Sequence, residues 1–431
     1  MHLHSKYSRA VSPQMLPKNM AAWAKVKGVN LIAAADFTHP IWLQQLKEEL
    51  VEAGEGIYKL KKKENDVLFI ISGEISSIYS QGGKTRRIHN LVFVPNFKIT
   101  DKINSALKKR GANLFSDGRP IIGLSALELA DLVFNIDPDC LIIPAHIWSP
   151  WFSLFGSRSG FDSLKECFGK FAQNIYAIET GISSDPAMNW RVEELENLSI
   201  VSFSDAHSLP KIGREATVFK VRGKKNLSFA YQDLISAIKK ERKSDWYVSS
   251  TIEFYPEEGR YHFDGHRKCK IRRSPQETRK KGAVCPICGK PLTLGVAYRV
   301  SQLSIRKINP VKKEIKGLAV QSHPREEQPP YITLVPLLEI IAEVKEKGVN
   351  TKGVKEAYDQ MIKSLGSELD ILLQSPLEKI NSLFGKKMRE GIEKNRKGEI
   401  TIEPGFDGQY GTVKIWEKEE KDLGEKQASL F

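Results

Sequence analysis

The chain has 431 residues, 41% hydrophobic and 27% charged, an ordinary globular composition with length enough for two or three domains. Its net charge of +14 favours a polyanionic partner through counterion release. No apolar run approaches the roughly 18–20 residues of a membrane span, and the polar start Met1-His2-Leu3-His4 carries no signal-peptide core, so the chain reads as soluble and cytoplasmic, with no membrane partner.

In chain order, apolar runs at 29–35, 67–71, 141–145, 175–178 and 200–203 lead into Asp36, Glu74, His146, Glu179, and Asp205 with His207. Runs this apolar predict strands buried on both faces, with polar residues gathered at their C-terminal ends. Helix-like segments at 40–53, 99–109, 125–133 and 161–171 alternate with them, which predicts parallel pairing and an α/β fold. His89 precedes its own apolar run at 91–94 and is expected at the turn entering a strand.

These residue types suit metal chemistry. His2-Leu3-His4 puts two imidazoles on one side of an extended chain, and Asp205-Ala206-His207 does the same for a carboxylate and an imidazole. Imidazole with carboxylate suits zinc, manganese or iron, and neighbouring divalent ions, expected here as zinc, manganese or magnesium, can hold a phosphoester and acidify an attacking water. Six of the nine histidines fall in this half: His2, His4, His39, His89, His146 and His207. A lone imidazole more often satisfies core hydrogen bonds, but two alternating pairs joined by Glu74 and His146 favour a metal cluster.

An H-x-H start, an Asp-centred second motif, a Glu after a strand, isolated histidines and a D-x-H finish resemble the PHP (polymerase and histidinol phosphatase) family. The resemblance implies a distorted (β/α)7 barrel holding two or three divalent ions, with His2, His4, Glu74, His89, His146, Asp205 and His207 as catalytic ligands. Two departures bear on it. Asp36 is followed by Phe37 where the family has histidine, leaving Asp36 or His39 to serve, with Asp36 preferred. Only Met1 precedes the H-x-H pair, so either the true start lies upstream or most of strand one is missing.

Within that family the stretches His4-Ser5-Lys6-Tyr7-Ser8-Arg9-Ala10, Asp36-Phe37-Thr38-His39-Pro40, Pro144-Ala145-His146-Ile147-Trp148, Glu179-Thr180-Gly181-Ile182-Ser183-Ser184-Asp185-Pro186 and Ser204-Asp205-Ala206-His207-Ser208 resemble endonuclease Q. That likeness implies nicking of DNA beside deaminated bases, with the base flipped into a pocket. Glu179, Ser183 and Asp185 are candidates for the substrate side, and Tyr7 and Trp148 for stacking on a base.

Of five cysteines, Cys140 and Cys167 read as core thiols, whereas Cys269, Cys285 and Cys288 cluster. With His266, three residues before Cys269, they have zinc-ribbon spacing and predict one structural zinc, His262 being the competing fourth ligand. From 260 to 281 nine Lys or Arg face two acids, and Arg267, Lys268, Lys270, Arg272 and Arg273 are expected along a DNA backbone.

Helices are expected at 337–347, 354–365, 368–373 and 376–393, the last with Ser375 as N-cap and Pro376 at its first position, followed by a strand pair at 399–402 and 411–416. In endonuclease Q this region helps grip DNA, and Lys386, Lys387, Arg389, Lys394, Arg396 and Lys397 would suit phosphates. The end, Gln427-Ala428-Ser429-Leu430-Phe431, resembles the pentapeptide that binds the bacterial β sliding clamp rather than the archaeal type, with Gln427, Leu430 and Phe431 as anchors.

The domain division expected is therefore a metal-dependent barrel at 1–225, a zinc ribbon with basic arm at 250–305, a helical DNA-gripping domain at 325–416 and a tail at 417–431. The function expected is nucleoid-associated DNA repair: metal-dependent cutting 5′ of deaminated bases or abasic sites. A histidinol-phosphatase-like small-molecule enzyme and a non-catalytic DNA-binding scaffold are the alternatives.

Overall fold

The five apolar runs form the strands Leu31–Ala33, Leu68–Ile70, Leu141–Pro144, Ala177–Glu179 and Ser199–Val201. A computed structural model describes residues 1–62, 66–223 and 228–417. Parallel pairing joins 31–33 to 68–70 and 177–179 to 199–201, as the alternation predicts.

The remaining strands depart from a closed barrel. Among the described residues they lie in separate sheets, and most pairings are antiparallel. The cause is the hairpin of Ser72–Gln81 and Lys84–Phe93, paired in register along its whole length. Gly82 and Gly83 turn it with φ of 61° and 71°, the positive values that a two-residue hairpin turn requires. A hairpin thus interrupts the parallel alternation, and His89 lies within its second strand rather than at the turn entering one. The sheets still meet at their strand ends, through Val94 N–H to Ile71 O at 3.1 Å, Ile147 N–H to Glu179 O at 3.2 Å and His4 N–H to Ala206 O at 3.3 Å.

The helices follow their caps. Asn96 caps Phe97–Lys109, and Ser125 with Glu128 forms a capping box on Ala126–Ile136. The segment expected as one helix at 40–53 is a helix over Pro40–Glu49 followed by the strand Leu50–Gly54, and 161–171 yields only the short helix Leu164–Phe168 and a 3₁₀ turn. No helix is long and apolar enough to cross a membrane among the described residues.

A five-stranded sheet, in the order Ala216–Val221, Trp246–Glu253, Tyr331–Thr333, Leu318–Ser322 and Val311–Ile315, follows. The cysteine-rich segment is an excursion between two of its strands. Beyond it lie the helices Leu337–Val344, Lys352–Leu365, Glu368–Leu373, Leu377–Phe384 and Lys386–Lys397, packed around Ile340, Ile341, Met361, Ile371 and Ile392. The helix expected at 376–393 is broken at Gly385, whose φ of 86° a helix does not accommodate, and Pro376 rather than Ser375 precedes its first residue.

Two features lock the helical module to the rest. Lys27, 2% exposed, places its Nζ 2.5 Å from Glu368 Oε2, which also accepts from the Tyr358 hydroxyl at 2.7 Å. The loop between strands Thr401–Glu403 and Thr412–Lys414 folds onto the turn that follows strand Trp246–Glu253, with Gly405 N–H donating to Glu257 O at 2.8 Å and Gly411 N–H to Glu258 O at 3.0 Å. The clamp-like peptide with Gln427, Leu430 and Phe431 lies outside the described residues.

Candidate metal centre and substrate cleft

Local backbone geometry aims the candidate ligands inward. Leu3 bridges Ala206 and is buried, so His2 and His4 project from the opposite side with ring centroids 5.1 Å apart. Asp36, His146 and Asp205, each just past a strand, have φ of 39°, 33° and 43°. That region is sparsely populated by side-chain-bearing residues and is characteristic of functional sites. Arg214 secures one of these corners, its Nε donating to Ser204 O at 2.8 Å and Nη2 to Asp205 O at 3.3 Å. Gly181 stands where a Cβ would collide with the side chain of His146.

Glu74 and His89 do not sit at strand ends but inside the hairpin. His89 pairs with Ser76, two residues from Glu74 on the same face, so its Nδ1 comes within 2.6 Å of Glu74 Oε1. The same oxygen is 3.1 Å from His146 Nε2, while Glu74 Oε2 is 3.6 Å from His2 Nε2 and 3.4 Å from His4 Nε2. Asp205 Oδ1 lies 3.2 Å from His4 Nε2. Three groups of possible ligands result: His2, His4 and Glu74; His4, Asp205 and His207; Glu74, His89 and His146.

The donor set fits divalent cations. His2 Nε2, His4 Nε2 and Asp205 Oδ1 are buried with no hydrogen-bond partner, a costly arrangement unless an ion satisfies them. Each imidazole nitrogen has one lone pair, so His4 can serve one ion, whereas the two oxygens of Glu74 can be shared. Burial pushes the His4 imidazole down, but Asp205, Asp36 and Glu74 outweigh it and raise it to about 9. Against a similar burial penalty, the surrounding imidazoles hold Glu74 and Asp205 well below the usual carboxylate range. His89 is lowered to about 4, chiefly by burial.

Several sequence expectations are corrected here. Asp36 is not in a ligand group: its oxygens accept from Ser5 N–H at 2.6 Å and the Ser8 hydroxyl at 2.8 Å, and His4 Nδ1–H at 3.2 Å. It orients His4 from behind. His39 also lies outside the groups; it caps Pro40–Glu49 and stacks on Tyr7 at 4.2 Å, so the Tyr7 ring is engaged with protein. Glu179 is fully buried behind the cluster, accepting from His2 Nδ1 at 3.0 Å and His146 N–H at 2.9 Å, and does not face a substrate. Trp148 is 0% exposed, its indole donating to Asn189, and cannot stack on a base. Asp185 caps Pro186–Trp190.

Ser183 does line the cleft. An open depression of about 450 Å3 over the cluster is bounded by His89, His146, Asp205, Arg119, Phe152 and Ser183. Arg119, absent from the sequence reading, donates from Nη1 to Glu74 Oε2 at 3.2 Å. It sits in a Gly-Arg-Pro turn with no periodic signal, and only proximity to Glu74 identifies it. A second chamber of about 440 Å3 adjoins, lined by Trp151, Phe152, Tyr261 and Tyr410 and rimmed by Arg87 and Arg260.

His266, Cys269, Cys285 and Cys288 bring their ligand atoms within 4.8 Å of one another, and His262 is not in that group. Arg267, Lys268, Lys270 and Arg272 are exposed beside it. Arg273 is buried, donating to Gly282 O and Val284 O, and is structural. Arg396 is likewise buried on the carbonyls of Ile371, Leu372 and Ser375, while Lys387, Arg389 and Lys397 are ion-paired.

Residues 336–399 match the family model of the MJ0043 C-terminal domain. The chain is 31% identical over 284 residues to the uncharacterized protein MJ0043 of Methanocaldococcus jannaschii, covering 64% of this chain and 33% of that protein, so it spans about a third of that relative's length. It is 27% identical over 400 residues to the uncharacterized protein YqxK of Bacillus subtilis, covering 90% and 89%. Among solved structures it resembles the lesion-specific endonuclease PfuEndoQ of Pyrococcus furiosus (28% identity, TM-score 0.80, 98% and 97% covered). It also resembles an endonuclease Q bound to a 27-mer duplex with an abasic lesion at its active site (30% identity, TM-score 0.81, 97% and 96% covered).

Proposed function

The chain belongs to the endonuclease Q family, and from that premise we propose that it is a DNA repair endonuclease hydrolysing the phosphodiester 5′ of a deaminated base (uracil, hypoxanthine or xanthine) or an abasic site. The observation that carries the reading is the convergence of three ligand groups on Glu74 and His4 beneath an open cleft. His2, His4, Glu74, His89, His146, Asp205 and His207 would hold two or three ions. Divalent ions there supply Lewis-acid polarisation of a phosphoryl oxygen and a more acidic attacking water. The protein's own part is orientation and charge: Glu179 and Asp36 fix the faces of His2 and His4, and Arg119 offers a guanidinium to negative charge developing on phosphorus.

The adjoining aromatic chamber, with Ser183 at the passage between the two, suits a nucleobase drawn out of the duplex. A zinc on His266, Cys269, Cys285 and Cys288 would hold the ribbon, whose exposed Arg267, Lys268, Lys270 and Arg272 would lie along phosphates. The terminal peptide with Gln427, Leu430 and Phe431 would dock on a sliding clamp of the bacterial β type.

The test is a nicking assay with manganese or magnesium on duplexes carrying one uracil, hypoxanthine or abasic site. A break 5′ of the lesion is expected. Intact lesion strands together with phosphate released from histidinol phosphate would overturn the reading.

A further inference from the structure

A pocket of about 450 Å3 that shares no lining residue with the cleft lies between the Pro186–Trp190 helix, the Pro275–Lys281 helix of the ribbon arm and residues 307–310. Its polar lining includes Arg191, Lys307, Gln276, Asn309 and Gln321. One acid, Asp185, lines it, and that carboxylate is engaged by Met188 N–H at 2.8 Å and the Tyr331 hydroxyl at 3.2 Å.

The cations of this pocket differ from those around them. Arg306 pairs with Glu193 at 3.2 Å and Glu196 at 2.9 Å, and Arg325 pairs with Glu196 and Glu327, each at 3.2 Å. Among the described residues no ion pair joins Arg191 or Lys307 to a carboxylate, and half-buried Arg191 feels the like charge of Arg279, whose Nη2 is taken by Ser301. Burial and that neighbour depress the Arg191 guanidinium, Asp185 opposing them. A half-buried guanidinium beside another cation is stabilised by an anion, and a planar fork with an ammonium and amide donors suits phosphate oxygens.

We propose that the pocket bounded by Arg191, Lys307 and Gln276 is a phosphate-binding site, occupied by a backbone phosphate of bound DNA outside the catalytic cleft. The choice of DNA as its source rests on the endonuclease reading; the phosphate chemistry does not.

The experiment compares the full-length protein with Arg191→Gln/Lys307→Gln, with Lys307→Gln alone, and with the charge-conserving Arg191→Lys. Affinity for an undamaged duplex is measured against salt, and melting temperature against inorganic phosphate. Loss of one phosphate contact lowers the slope of log K against log salt by about 0.9. The double variant is expected to lose that much, Lys307→Gln part of it, and Arg191→Lys little, while phosphate raises the melting temperature of the unaltered protein and not of the double variant. A phosphate effect lost with the slope unchanged supports the site with a free phosphate group as its ligand; a slope change without a phosphate effect supports the DNA backbone. Equal slopes together with equal phosphate responses overturn the proposal. If the unaltered protein binds no DNA, the endonuclease reading fails and the phosphate arm alone decides the site.

Discussion

Asp36→Asn separates a carboxylate that orients a ligand from one that is itself a ligand. The substitution preserves shape but turns one acceptor oxygen into a donor amide, facing Ser5 N–H, the Ser8 hydroxyl or His4 Nδ1–H. At least one of three charge-assisted bonds is lost, about 1.5–3 kcal/mol. With the carboxylate charge gone, His4 is held less firmly in the tautomer and ring orientation that leave Nε2 available, which lowers metal affinity about 10–100-fold. Ion stoichiometry is therefore expected to stay that of the unaltered protein, with weaker binding and nicking restored by raised manganese. Asp205→Ala, which removes an oxygen 3.2 Å from His4 Nε2, is expected to lose activity that metal does not restore. Elemental analysis and metal titration of both variants give the answer. A full ion equivalent missing from Asp36→Asn at saturating metal would refute the assignment of Asp36 as an orienting group.

Lys27→Met leaves Glu368 charged and buried with its ion-pair partner gone, and is expected to destabilise by about 3–5 kcal/mol in denaturant unfolding, whereas Lys27→Met/Glu368→Gln recovers much of this. Arg214→Ala frees the carbonyls of Ser204 and Asp205, and with Asp205 strained at φ 43° nicking is expected to fall about 10–100-fold, read as initial rate at saturating metal. Burial lowers His262 to about 4 from its ordinary 6.5, so the unfolded chain takes up this proton first as pH falls. Its contribution is intact above pH 6.5 and lost toward pH 4, on the order of 3 kcal/mol, and His262→Gln is expected to flatten the melting temperature over that window. Cys285→Ser is expected to release one zinc by elemental analysis and to loosen the ribbon in hydrogen exchange.

What the sequence determined by itself is what short-range geometry controls. Alternation along an extended chain puts His2 with His4 and Asp205 with His207 on common sides, and the apolar runs become the buried strands that precede Asp36, His146 and Asp205. The spacing of Cys269, Cys285 and Cys288 marks a ribbon-type ligand set with His266 or His262 as its fourth member, and the fold decides for His266, whose ligand atom lies within 4.8 Å of the three thiols.

The roles of individual groups were decided only by tertiary structure. Glu74 and His89 meet because the hairpin pairs Ser76 with His89, a register set by the turn and by the faces that bury, not by any local motif. Whether a polar residue beside a strand end touches an ion, supports a ligand or caps a helix depends on what packs against it. Hence Asp36 and Glu179 stand behind histidines, Asp185 caps a helix, and Trp148 is sealed in the core, while Arg119 enters the cleft from a turn without pattern. Residue type and spacing restrict which chemistry is available, and the contacts made by the folded chain allot it to particular atoms.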